Sequence, residues 1–159
     1  MYRECDRGTA YFKRSIQDCV LVGATTGPQA KVDRGLVTEV LVRSIVYRLI
    51  NKIATFARFG GLPGIEELPR FIKLLARMRE DQETIFTAAH QNMGFDRLMA
   101  TFKHVRANLG DIAAKVVRGA EARSLRRVQE AIQSIPNVGG FFAWQILCDL
   151  LEARVLGKC

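Results

Sequence analysis

Ile135-Pro136-Asn137-Val138-Gly139-Gly140-Phe141-Phe142-Ala143 is the stretch on which the reading of the fold turns. Pro136 must end or kink the helix before it, because it lacks an amide hydrogen and pushes its predecessor away from the α region. Val138 then plugs the space between two helices, and Gly139 allows a tight turn into the second. A helix-hairpin-helix of this form leaves backbone N–H groups pointing outward at a helix N-terminus. There they and the helix dipole hold a phosphate oxygen. Such a clamp takes a nucleic-acid backbone irrespective of its sequence, with Asn137, Val138, Gly139 and Gly140 as the candidate contacts. A Pro-x-x-Gly turn is equally a plain connection between helices.

The helices on either side carry the next signals. The one before, predicted over Glu121 to Ile135, is amphipathic, with Leu125, Val128, Ile132 and Ile135 inward and Arg123, Arg126, Arg127 and Glu130 outward. It closes the most basic part of the chain. Residues 96 to 127 hold eight cations, Arg97, Lys103, Arg106, Lys115, Arg118, Arg123, Arg126 and Arg127, against Asp96, Asp111 and Glu121. That face is either solvated or in contact with phosphates, and Arg123 and Arg127 are its candidate DNA contacts. The helix after the turn is predicted from Phe141 to about Val155. On it Phe142, Gln145, Asp149 and Glu152 fall three or four positions apart. This polar line either faces water, or Gln145 orients a substrate while Asp149 accepts a proton.

Apolar spacing is helical almost everywhere, so the fold is expected to be all-α, one helical domain over residues 1–159. Further helices are expected at Glu4 to Val22, Leu36 to Phe59, Glu66 to Met78, Glu83 to Gln91, Phe95 to Asn108 and Asp111 to Arg118. Gly23 to Pro28 reads as a loop, Gly60 and Gly61 as the end of the long second helix, and Gly110 and Gly119 as breaks. The long helix is apolar round most of its circumference and should be central. It bears one line of polar residues, Ser44, Tyr47, Arg48, Asn51 and Thr55, which are either buried hydrogen-bond anchors or the wall of a polar pocket. At the N-terminus Arg3, Asp6 and Arg7 share a helical face, as a surface salt bridge or as a guanidinium clamp for phosphate or pyrophosphate.

Composition agrees with one globular domain. The 159 residues are 48% hydrophobic and 25% charged, and 24 Lys and Arg against 16 Asp and Glu give a formal charge of +8. At a pI near 9.7 an anionic partner is expected, nucleic acid first. Cys5, Cys19, Cys148 and Cys159 have no CxxC spacing, which indicates neither a zinc knuckle nor a disulfide framework and fits a reducing compartment. His90 and His104 are isolated, so no metal is expected. No apolar run reaches the roughly 18 residues of a membrane span and no signal-peptide core precedes the domain, so a soluble intracellular protein is expected. Without GxGxxG, P-loop, HExxH or GxSxG, dinucleotide enzymes, P-loop kinases and serine hydrolases lose their usual support.

Several segments, in this order, resemble one family. Tyr2-Arg3-Glu4-Cys5-Asp6-Arg7-Gly8-Thr9, Tyr47-Arg48-Leu49-Ile50-Asn51-Lys52, Ile85-Phe86-Thr87-Ala88-Ala89 and the hairpin through Trp144-Gln145, with Asp149-Leu150, look like the alpha-glutamyl/putrescinyl thymine pyrophosphorylases, or amino acid:DNA transferases. The resemblance implies a helical fold related to the helix-hairpin-helix DNA glycosylases and a role in bacteriophage thymine hypermodification, in the cytoplasm of the infected bacterium. The implied partners are double-stranded DNA carrying a modified thymine, an amino acid or polyamine substrate, and a 5-hydroxymethyluracil DNA kinase. The implied reaction replaces the pyrophosphate of 5-(pyrophosphorylmethyl)uracil with an amine, without a cofactor. Arg3, Arg7 and Arg48 would stabilise the leaving pyrophosphate, Asp6 and Tyr47 line the site, Asn51 and Gln145 orient the substrates, and Asp149 take the amine proton. The chain begins inside the first of these motifs and ends soon after the last, as a shortened or fragmentary member does. A non-catalytic helix-hairpin-helix DNA-binding module needs only the basic face and the turn. A base-excision glycosylase is the third reading, disfavoured as a Schiff-base lyase because the last helix has no Lys before Lys158.

Overall fold

The computed structural model describes residues 7–26, 31–87 and 93–157, and among them there are eight helices and no strand. They are α1 (Arg7–Ser15), α2 (Gln17–Thr26), α3 (Arg34–Ile50), α4 (Ile53–Phe59), α5 (Leu68–Glu80), α6 (Phe95–Glu121), α7 (Leu125–Gln133) and α8 (Gly140–Glu152). The all-α expectation holds. The core runs round α3, which packs against α2, α6 and α8, while α7 lies across both α6 and α8. Buried Val37, Val40, Leu41, Val42, Ile45, Leu49 and Ile50 occupy most of the circumference of α3, as a central helix requires.

Four expected boundaries are corrected. The first helix is two. Arg43 donates to the carbonyl of Ser15 at 3.2 Å, and the Ser15 hydroxyl bonds back to the carbonyl of Tyr11 at 2.9 Å. The Ser15 back-bond bends the helix, and the chain turns at buried Ile16, whose N–H still bonds to the carbonyl of Phe12 and whose carbonyl accepts from Val20. Beyond it α2 continues to Thr26, through part of the segment read as a loop. The long second helix also divides, at Asn51, which caps α3 in the left-handed region at φ 48 with its N–H on the carbonyl of Tyr47.

The third and fourth corrections concern residues 83–91 and α6. The described part of the first, 83–87, is not helical. Lys52 donates to the carbonyl of Thr84 and Thr55 to that of Ile85, which side chains of α4 and its N-cap thus occupy. Residues 88–91, with His90, lie outside the described residues. The two helices expected either side of Gly110 are one, α6, of 27 residues. Gly110 is exposed in mid-helix with its carbonyl accepting from Arg34, and Gly119 is a notch against which α7 packs. A Cβ at Gly119 would stand 2.9 Å from both the backbone nitrogen and Cγ2 of Val128.

Candidate functional site

The connection from α7 to α8 lies at the surface, with Pro136, Asn137, Gly139 and Gly140 exposed, while Val138 is buried as the plug between the helices. The left-handed position is Asn137, at φ 63, not Gly139, whose φ of −74 and ψ of 173 any residue adopts. Asn137 suits that conformation because its short amide bonds locally. Here the amide donates to the hydroxyl of Thr101 at 3.0 Å, and that hydroxyl lies 3.0 Å from the carbonyl of Pro136. Thr101, fully buried on α6, therefore pins the turn from beneath, a residue the sequence reading missed. The Asn137 side chain is thereby spent on holding the turn rather than reaching outward.

Gly139 is the N-cap of α8, its carbonyl accepting the N–H of Ala143 at 2.9 Å, and no side chain caps this helix. A Cβ at Gly139 would meet nothing within 4 Å. The turn therefore offers the open, positively polarised helix start that an anion takes. The eight cations of residues 96–127 are all exposed. Arg126 is ion-paired with Glu130 at 2.8 Å. Lys115 and Arg118 on α6 and Arg127, Glu130 and Ser134 on α7 and its C-cap line a groove of about 420 Å³ between the two helices. Arg123, at φ 51, stands in the α6–α7 connection.

The second cluster joins α3 to α8. Arg48 grips Asp149 bidentately, Nε donating to Oδ2 at 2.8 Å and Nη2 to Oδ1 at 2.5 Å, and the Ser44 hydroxyl also donates to Oδ2. The Asp149 side chain is 3% exposed and that of Arg48 14%. The Arg48 guanidinium lies over the Tyr47 ring at 5.1 Å and the Phe12 ring at 5.9 Å, so α1 roofs the pair. Burial opposes its charge, but the hydrogen bonds and charge of Asp149 outweigh that cost and hold the guanidinium above its ordinary pKa. With Arg48 and Ser44 on its oxygens, this carboxylate fixes a guanidinium.

The remaining candidates divide between the two clusters and places away from both. Tyr47 is buried, stacked on Phe12 with ring centroids 5.1 Å apart. Gln145 is half-buried one turn before Asp149. Thr55 and Asn51 have structural work, in the bond to Ile85 and as the cap of α3. Glu152, last of the expected polar line, pairs with Lys13 at 3.6 Å. Arg3 and Asp6 lie outside the described residues; Arg7 opens α1 and its side chain is outside them too. Asp149 stands ten residues beyond Gly139, about 15 Å along the α8 axis, and faces α3. Among the described residues no three His, Cys, Asp or Glu side chains converge as metal ligands do, and no helix is long and apolar enough to cross a membrane.

Comparison with known proteins adds one match. The family model described as 5-hmdU DNA kinase, helical domain, matches residues 1–157. No curated protein and no solved structure matches the chain.

Proposed function

Since the chain belongs to the family of 5-hmdU DNA kinase helical domains, we propose that it serves thymine hypermodification by gripping double-stranded DNA that carries a modified thymine. On this reading it works beside a 5-hmdU DNA kinase in the cytoplasm of a phage-infected bacterium. The α7–turn–α8 unit acts as a helix-hairpin-helix of the DNA glycosylase type. The observations that carry the reading are the exposed, uncapped start of α8 and the exposed cations of the α6–α7 groove, which make no ion pair among the described residues. The backbone of Val138, Gly139 and Gly140 and the side chains of Arg123 and Arg127 are the proposed phosphate contacts, with Asn137 holding the turn in shape.

Gly139→Asp tests this directly. The site accepts a Cβ, and Asp is a favoured N-cap, so the variant should fold at least as stably as the parent. Its carboxylate occupies the place a phosphate would take. Duplex affinity measured by fluorescence anisotropy is expected to fall about tenfold or more, while unchanged affinity would refute the clamp.

The Ser44–Arg48–Asp149 cluster favours a second reading, the pyrophosphate-displacing transferase. In that reaction the amine nitrogen of an amino acid or polyamine bonds to the methylene carbon on C5 of the base. The bond from that carbon to the pyrophosphate oxygen breaks, and its electron pair leaves with pyrophosphate. Arg48, with Arg3 and Arg7, would meet the leaving charge. Asp6, Tyr47 and Asn51 complete the proposed substrate site, and Gln145 orients the amine. Asp149 takes the amine proton if Arg48 moves to the pyrophosphate; otherwise it serves to position Arg48 and the proton passes to solvent water. Incubation with pyrophosphorylated DNA and glycine, glutamate or putrescine, followed by mass spectrometry of the nucleosides, decides the matter. An amine adduct lost in Arg48→Met supports the transferase, and no adduct with any amine leaves the DNA-binding domain alone.

A further inference from the structure

The large apolar side chains exposed among the described residues are Leu21, Val22, Ile53, Phe141 and Trp144. Phe141 and Trp144 stand out by place. They are neighbours at i and i+3 on the first turns of α8, 64% and 49% exposed, and they follow the hairpin directly. Trp144 lies within about 8 Å of Gly139 along the helix axis. The Phe141 ring rests against that of Phe142, 5.8 Å away and tilted by 60°, and Phe142 packs on the core. Phe141 is thus backed by a ring packed on the core, and both Phe141 and Trp144 are open to solvent.

A protein partner covers about 800 Å² per side and wants an apolar centre. No large apolar side chain on α6 or α7 is exposed to extend this patch, which adjoins the polar turn and half-buried Gln145. Two open rings directly after an exposed helix-to-helix turn, on a domain whose α6 and α7 expose cations, match instead the combination by which proteins hold unpaired bases. We propose that Phe141 and Trp144 form a stacking platform for a nucleobase that has left the duplex, while the hairpin holds its strand. This inference rests on the DNA-binding reading above. It implies that the domain prefers DNA with an unpaired base to a fully matched duplex.

Trp144 is the single tryptophan of the chain, so its emission reports on the platform itself. The full chain would be titrated with a matched 20-base-pair duplex and with the same duplex carrying one bulged thymidine. The expected result is tighter binding of the bulged duplex with quenching of Trp144 emission. Phe141→Ala and Trp144→Ala should each lose about tenfold in affinity for the bulged duplex and little for the matched one. Both side chains are largely exposed, so the variants should keep the parent's helical circular dichroism. Equal binding of both duplexes with unchanged emission would overturn the platform while leaving the clamp intact, and no binding of either would overturn both. A Trp144 emission change on adding purified kinase without DNA, with duplex affinities unaltered in the variants, would assign the patch to a protein and also overturn the proposal.

Discussion

At the scale of single residues, the most consequential contact is between positions 101 apart. Arg48 and Asp149 are each visible in the sequence as polar residues on apolar helices, but helical periodicity says nothing about which helix faces which. The reading of Asp149 as part of an outward line with Gln145 and Glu152 came from spacing alone, and the structure turns its carboxylate into α3. Removing one partner of a buried pair leaves the other charge without compensation. Asp149→Ala is therefore expected to cost about 3 kcal/mol in urea denaturation. Ser44→Ala, which removes one neutral donor to a charged acceptor, should cost about 2 kcal/mol. Equal stability of Asp149→Ala and the parent would show that the pair contributes nothing. Gly119 was legible as a glycine and misread as a break. Gly119→Ala forces a methyl against the backbone of Val128 and is expected to lower stability by about 2 kcal/mol, read as a fall in Tm.

At the scale of elements, the amphipathic faces were legible and the breaks were not. The inward sides of α5 and α7 follow directly from Phe71, Leu75 and Met78 and from Val128 and Ile132. By contrast α3 and α4 share one apolar pattern, and the signal at their junction is Asn51, a residue that favours a left-handed cap but also occurs inside helices. Gly110 shows the opposite error. One exposed glycine costs a helix about 1 kcal/mol, less than burial of Val105, Ile112 and Val116 on either side returns. The hairpin was recognised from Pro136 and the glycines, yet its anchor, Thr101, lies on a helix 35 residues away in sequence. Thr101→Val keeps the shape and removes the hydroxyl that bonds Pro136 and Asn137. It is expected to cost about 2 kcal/mol and to weaken duplex binding with it, whereas Gly139→Asp weakens binding alone. Parent-like duplex affinity in Thr101→Val would show that the turn needs no support from α6.

At the scale of the whole molecule, the legible property was charge, and the structure adds where it lies. The surplus of cations is exposed along α6 and α7, and the hairpin meets the start of α6 at Arg97, whose carbonyl faces the Asn137 amide. From Arg97 to Arg118 the α6 axis runs about 30 Å, comparable with one turn of duplex. The central claim, that this surface and its turn hold a DNA backbone, is tested most directly by duplex affinity across a salt series. With about five phosphates neutralised by the exposed Lys and Arg side chains, Arg123 and Arg127 among them, log K should fall linearly with log salt at a slope near −4.5, and the slope should become shallower by about two units in Arg123→Ala/Arg127→Ala. An affinity that stays flat from low to high salt, or a slope identical in that double variant, would contradict it.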